Sequence, residues 1–217
     1  MIIPVVILIA LCACEPPPVV VASCDSTPAD APGPVVARVM AVGDSLTLGG
    51  PGITGGYRSH LKAMLPDLTF VGSLENAGRH EGHNGKRIDQ IRLLVLPTID
   101  SFQPDVVLLM AGGNDITISS DVPQILAELA AFAEELRTHA PIVLVATLPF
   151  RAGDPLRHDT MLFNVEMPGA FAGASSGITV HDISSTLVYP DDFVDGAHPN
   201  DVGYAKMAVR WAQLEAL

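Results

Sequence analysis

The chain has 217 residues, and 12 Lys+Arg against 24 Asp+Glu give it a formal net charge of -12. That length suits one domain with a sizeable core, and the surplus of negative charge repels phosphate backbones, which argues against nucleic acid as a partner. The three cysteines stand at positions 12, 14 and 24, so neither a disulfide framework nor a cysteine metal site is open to anything from Asp25 onward.

Met1 to Ala13 is an apolar run, shorter than the ~20 residues of a spanning helix and of the length of a signal-peptide core. Leu11-Cys12-Ala13-Cys14 resembles a bacterial lipobox, which makes residues 1–14 an export signal and Cys14 the expected lipidation site. Val21-Ala22-Ser23-Cys24 fits the same pattern, but Glu15-Pro16-Pro17-Pro18 would interrupt its apolar region. Residues 15–34 are rich in Pro, Ala, Ser and Asp and read as a flexible tether. The protein is therefore expected to be exported, and either held at the cell envelope by the lipid or secreted.

From Pro34 onward, short apolar runs alternate with amphipathic stretches, the pattern of βα units on a parallel sheet. Five strands are predicted at Val35–Val42, Leu68–Gly72, Asp105–Ala111, Ile142–Thr147 and Ile178–Asp182. Helices are predicted at Tyr57–Leu65, Ile88–Ser101, Val122–His139, Arg157–Glu166 and Val202–Leu217. The runs VVLLM and IVLVA are continuous, as strands covered on both faces should be. Val122, Ile125, Leu126, Leu129, Phe132, Ala133 and Leu136 recur at helical spacing and are assigned to the core, as is Trp211. A domain of residues 35–217 with this pattern places its chemistry at the carboxyl ends of the strands.

Three motifs fall at that edge. Gly43-Asp44-Ser45-Leu46-Thr47 follows the first strand and offers a serine hydroxyl, which is nearly inert without a base and an oxyanion hole. Asp195-Gly196-Ala197-His198 supplies both base and orienter on one loop, close enough for Asp195 to accept from Nδ1 and leave Nε2 to the serine. Gly112-Gly113-Asn114-Asp115 follows the third strand and brings an amide donor; Asp115 reads as a cap for the next segment. A fourth motif, His80-Glu81-Gly82-His83-Asn84-Gly85, precedes the helix near Ile88 and offers the Gly85 backbone amide.

Each motif has a plainer reading as a turn, and it is their order on one sheet edge that favours catalysis. Gly173-Ala174-Ser175-Ser176-Gly177 satisfies G-x-S-x-G but leads into a strand, whereas a nucleophile elbow follows one. Gly50-Pro51-Gly52-Ile53-Thr54-Gly55 satisfies G-x-G-x-x-G without the acidic partner that holds a ribose, and reads as a flexible rim of the site. The histidines of His80-Glu81-Gly82-His83 are one residue too close for the zincin pattern, so no metal is expected there. Lys86 and Arg87 read as solvated charges.

The four motifs together resemble the ordered blocks of the SGNH (GDSL-type) hydrolase superfamily. Gly55-Gly56-Tyr57-Arg58, Phe70-Val71-Gly72-Ser73 and Ile88-Asp89-Gln90-Ile91 bring the chain nearer to the family three carbohydrate esterases, which include acetylxylan esterases. Where those enzymes read Ser-Gly-Trp-Thr, this chain has Asn84-Gly85-Lys86-Arg87. The resemblance implies a three-layer α/β/α flavodoxin-like sandwich on a five-stranded parallel sheet. It also implies Ser45 as nucleophile, Asp195 and His198 as its partners, and an oxyanion hole from the amides of Ser45 and Gly85 with the Asn114 side chain. No metal or organic cofactor is implied, and the expected substrate is a small ester such as an acetylated carbohydrate. A lysophospholipase or thioesterase of the same fold is the enzymatic alternative. A non-catalytic carbohydrate-binding module is the other, although such a module would be expected to have lost one of Ser45, Asn114 or His198.

Overall fold

The computed structural model describes residues 37–153 and 155–213. The expected export signal, the lipidation at Cys14 and the tether over 15–34 lie outside the described residues.

The strands are β1 (Arg38–Gly43), β2 (Thr69–Val71), β3 (Leu74–Glu75), β4 (Arg79–Gly82), β5 (Val106–Met110), β6 (Ile142–Ala146) and β7 (Ile178–His181). One edge of β1 pairs with β5 from Val39↔Val106 to Gly43↔Met110. Its other edge is shared: β2 pairs with Arg38 to Met40, and β4 with Val42 and Gly43. β6 and β7 continue outward from β5, and all of these pairings are parallel. The sheet thus has the five parallel positions expected from sequence. It carries in addition β3, antiparallel to β4.

β4 was not expected because Arg79-His80-Glu81-Gly82 contains no apolar residue, although the last three are buried. Most of its buried polar atoms are satisfied locally, with the Gly82 amide donating to His80 Nδ1 and Glu81 accepting from Ser73 and His83, while His80 Nε2 has no partner among the described residues.

The helices are α1 (Ser45–Leu48), α2 (Tyr57–Met64), α3 (Ile88–Val95), α4 (Ile99–Phe102), α5 (Gly113–Ile118), α6 (Val122–His139), α7 (Leu156–Ala170) and α8 (Asp201–Ala212). α2 packs on α8, while α6 packs on α3 and α7, so helices cover both faces of the sheet. The seven α6 positions assigned to the core are the seven it buries. Each large side chain among them stabilises the fold by roughly 1.5–3 kcal/mol. Where one helix was expected over Ile88–Ser101 there are two, because Pro97 has no amide to continue the ladder. Two short helices went unread: α1 and α5 are too brief for a periodic pattern, and each begins right after a strand.

Candidate active site

Gly43 ends β1 because nothing larger fits: a Cβ there would lie 2.2 Å from the Met110 carbonyl oxygen and 2.4 Å from Thr47 Oγ1. Asp44 then caps α1, its Oδ1 accepting the Leu46 amide at 2.9 Å. Ser45 becomes the first residue of that helix, at the carboxyl edge of the central strand. Its amide has no acceptor among the described residues, and the same holds for Gly85, which turns at φ +68° just before α3.

Asp195 and His198 arrive from the other end of the chain. Asp195 Oδ1 accepts the amides of Ala197 and His198, each at 2.7 Å, which folds the loop into a tight turn. Its Oδ2 lies 2.9 Å from His198 Nδ1. A nitrogen beside a carboxylate carries the proton, so Nε2 is left as an acceptor, 2.9 Å from Ser45 Oγ across 153 residues of sequence. Burial opposes the charge on Asp195, but the amide and ring of His198 and the amide of Ala197 outweigh it and hold the carboxyl below its ordinary range. The loop is anchored beneath by buried Asp192, which accepts from Lys206 of α8 at 2.7 and 2.8 Å and from the Val188 amide.

Asn114, in the first turn of α5, points its amide nitrogen between the Lys86 carbonyl at 2.9 Å and Asp44 Oδ2 at 3.2 Å. Ser45, Gly85, Asn114 and His198 line one pocket of about 140 Å³, together with Asp44, Leu148, Pro149 and Arg151. Asp44 is fully enclosed, and burial pushes its carboxyl up to about 6 against the pull of the Leu46 amide and Arg151.

The structure therefore gathers Ser45, Gly85, Asn114, Asp195 and His198 at one place and leaves the rival Ser175 elsewhere. The Ser175 loop precedes β7, at the opposite edge of the sheet, with its amide bonded to Glu134. Asp115 is corrected in role: it accepts the Ile88 amide at the start of the preceding α3, while Asp121 caps the following α6. The rim is packed at Gly50, which abuts His198 and Tyr204, and open at Gly52. His80 and His83 are held by Gly82 and Glu81, and no cluster suited to a metal ion occurs among the described residues.

Arg151 has no motif in the sequence to mark it, and Asp44, inside the serine motif, carries no role there; both follow strands, β6 and β1, at the carboxyl edge, where the rule that singles out Ser45 and Asn114 reaches them.

Comparison with known proteins bears on the family and the fold. A multidomain esterase of Ruminococcus flavefaciens is 26% identical over 220 residues, covering 81% of this chain, and this chain spans 28% of that protein's length. The solved structure of a family 3 carbohydrate esterase from Clostridium thermocellum superposes with a TM-score of 0.70 at 28% identity, covering 81% of this chain and 92% of that one. A carbohydrate esterase of the same family from Talaromyces cellulolyticus shares the fold, with a TM-score of 0.69 at 22% identity over 81% and 94% of the two chains. Residues 41–206, which include the Ser45 motif, the Asn114 motif and the Asp195–His198 loop, match the GDSL-like Lipase/Acylhydrolase family, and the chain belongs to that family.

Proposed function

We propose that this chain is a serine esterase that removes short acyl groups, acetyl foremost, from carbohydrate. The observation that carries the reading is the unbroken hydrogen-bonded line Asp195–His198–Ser45, opening on a small pocket beside two uncommitted backbone amides. His198 takes the Ser45 proton as Oγ attacks the ester carbonyl, and Asp195 stabilises the imidazolium. The tetrahedral oxyanion is met by the amides of Ser45 and Gly85 and by Asn114, whose longer bond to Asp44 is the one an oxyanion displaces. His198 then protonates the leaving alcohol and activates water to hydrolyse the acyl-enzyme.

The limit on acyl length follows from the pocket. Each methylene contributes about 0.8 kcal/mol only against a continuous apolar wall, and the walls here interleave Asp44, Asn84, Asn114, Arg151 and His198 with Leu46, Leu148 and Pro149 around a volume of about 140 Å³. The likeness to the Clostridium carbohydrate esterase supports the carbohydrate half of the reading. We also place the enzyme outside the cytoplasm, anchored through a lipid on Cys14, on the strength of the apolar run and the small residue before that cysteine.

The test is a series of p-nitrophenyl esters from acetate to palmitate, run beside acetylated xylan with Ser45→Ala as control. Acetate should be the preferred acyl group, acetate should be released from the polysaccharide, and Ser45→Ala should be inactive yet folded. Faster hydrolysis of decanoyl and longer esters, with no acetate released from polysaccharide, would replace this reading with a lipid-active one.

A further inference from the structure

Arg151 lines the catalytic pocket but takes no part in the relay. Its Nη1 donates to the Gly113 carbonyl at 2.9 Å and its Nη2 to Thr117 Oγ1 at 3.2 Å. Thr117 Oγ1 itself donates to the Gly113 carbonyl at 3.1 Å, closing a triangle on the one-and-a-half turns of α5 that carry Asn114. The fork of the guanidinium is thus turned onto α5 and not offered to a substrate carboxylate. The neighbouring residue grips the other half of the site: the Ala152 amide donates to the Gly196 carbonyl at 2.6 Å, between Asp195 and His198. A Cβ on Gly196 would stand 3.1 Å from Ala152 Cβ, so the two loops touch directly there.

Two consecutive residues therefore tie the oxyanion side of the pocket to the acid-base side. We infer that Arg151 is a positioning residue, which through Gly113 and Thr117 fixes the aim of the Asn114 amide relative to the Ser45–His198 pair. The inference rests on the hydrolytic reading above. A donor aimed at an oxyanion acts in the transition state, so an error in its position lowers kcat and leaves ground-state binding alone.

The experiment is steady-state kinetics on p-nitrophenyl acetate with Arg151→Met, Arg151→Lys and Thr117→Val, alone and combined with Asn114→Ala. Arg151→Met should lower kcat by about 10-fold with KM within about twofold, and Arg151→Lys should recover part of that loss. In the Asn114→Ala background, Arg151→Met should cost less than about twofold, since the donor it aims is already gone. Thr117→Val should show a smaller loss of the same kind, which keeps the test alive if Arg151→Met does not fold. A change confined to KM would make Arg151 a substrate contact. Full additivity with Asn114→Ala, or an unchanged kcat, would equally overturn the inference. Either result in an active wild-type enzyme leaves the hydrolytic reading standing, whereas full activity in Ser45→Ala would overturn both.

Discussion

Gly50→Ala isolates how closely the base must be held. Gly50 has an ordinary φ, so alanine brings no backbone strain, only one methyl group. That methyl would lie 2.8 Å from His198 Cβ, 3.3 Å from Tyr204 Oη and 3.4 Å from His198 Cγ. Relief to the shortest ordinary contact of 3.4 Å needs a shift of about 0.6 Å (3.4 minus 2.8) at the base of the imidazole. His198 cannot swing aside at leisure, because Asp195 holds its amide and Nδ1 and the Val194 amide holds its carbonyl. Carried to the ring tip, the same displacement stretches the 2.9 Å contact with Ser45 to about 3.5 Å, beyond useful hydrogen bonding. Misplacement on this scale costs up to about 10²-fold in kcat, or about 2.7 kcal/mol of barrier. Folding should weaken by only about 1–3 kcal/mol, as for other overpacked sites. The assay is kcat and KM on p-nitrophenyl acetate beside a thermal melt, with Gly52→Ala as control. Gly52 has φ +76° but open space around its Cβ, so that variant should lose about 1 kcal/mol of stability and keep its kcat. A Gly50→Ala enzyme within about twofold of wild-type kcat, or an equal loss in Gly52→Ala, would refute the reasoning.

Asn114→Ala should lower kcat on the same ester by ~10²-fold with KM little changed, and a change in KM alone would assign Asn114 to substrate binding. His80 is buried, and burial first and Arg58 second push its pKa from 6.5 down to about 4, so it is neutral in the fold. A base depressed in this way contributes stability that is present above pH 6.5 and lost as the pH falls through about 4, by up to about 3 kcal/mol. His80→Asn keeps an acceptor for the Gly82 amide and does not titrate, so urea midpoints should fall less from pH 6.5 to 4 than in wild type; parallel curves would contradict this. Cys14→Ser in the full-length chain should release the protein from membranes, and a mature protein that begins beyond Cys14 without lipid would make residues 15–34 an ordinary secreted linker.

The parallel sheet and its helices were legible in the sequence because burial on two faces writes itself as continuous apolar runs, VVLLM and IVLVA, and burial on one face as a helical stripe, Val122 to Leu136. The candidate site residues were legible in part for a related reason: each strand's carboxyl end is a fixed place in such a fold, and Ser45 and Asn114 follow β1 and β5 there, while the Asp195–His198 loop, marked by its own spacing, reaches them from just before α8. What the sequence does not encode locally is satisfaction by distant partners. β4 has no apolar signature, since its buried glutamate is balanced by Ser73 and His83, and His80 Nδ1 by the Gly82 amide, only once the chain has folded. Asp115 reads as a cap for the helix that follows, yet the sheet brings it under the helix before. Gly50 looks like any flexible glycine until His198, far along the chain, is set 2.8 Å from where its methyl would be. Arg151 looks like a surface charge until β5 and β6 pair and lay its guanidinium across Gly113. Periodicity and strand ends are properties of a segment, whereas contact and desolvation are properties of pairs, and only the tertiary structure decides which pairs meet.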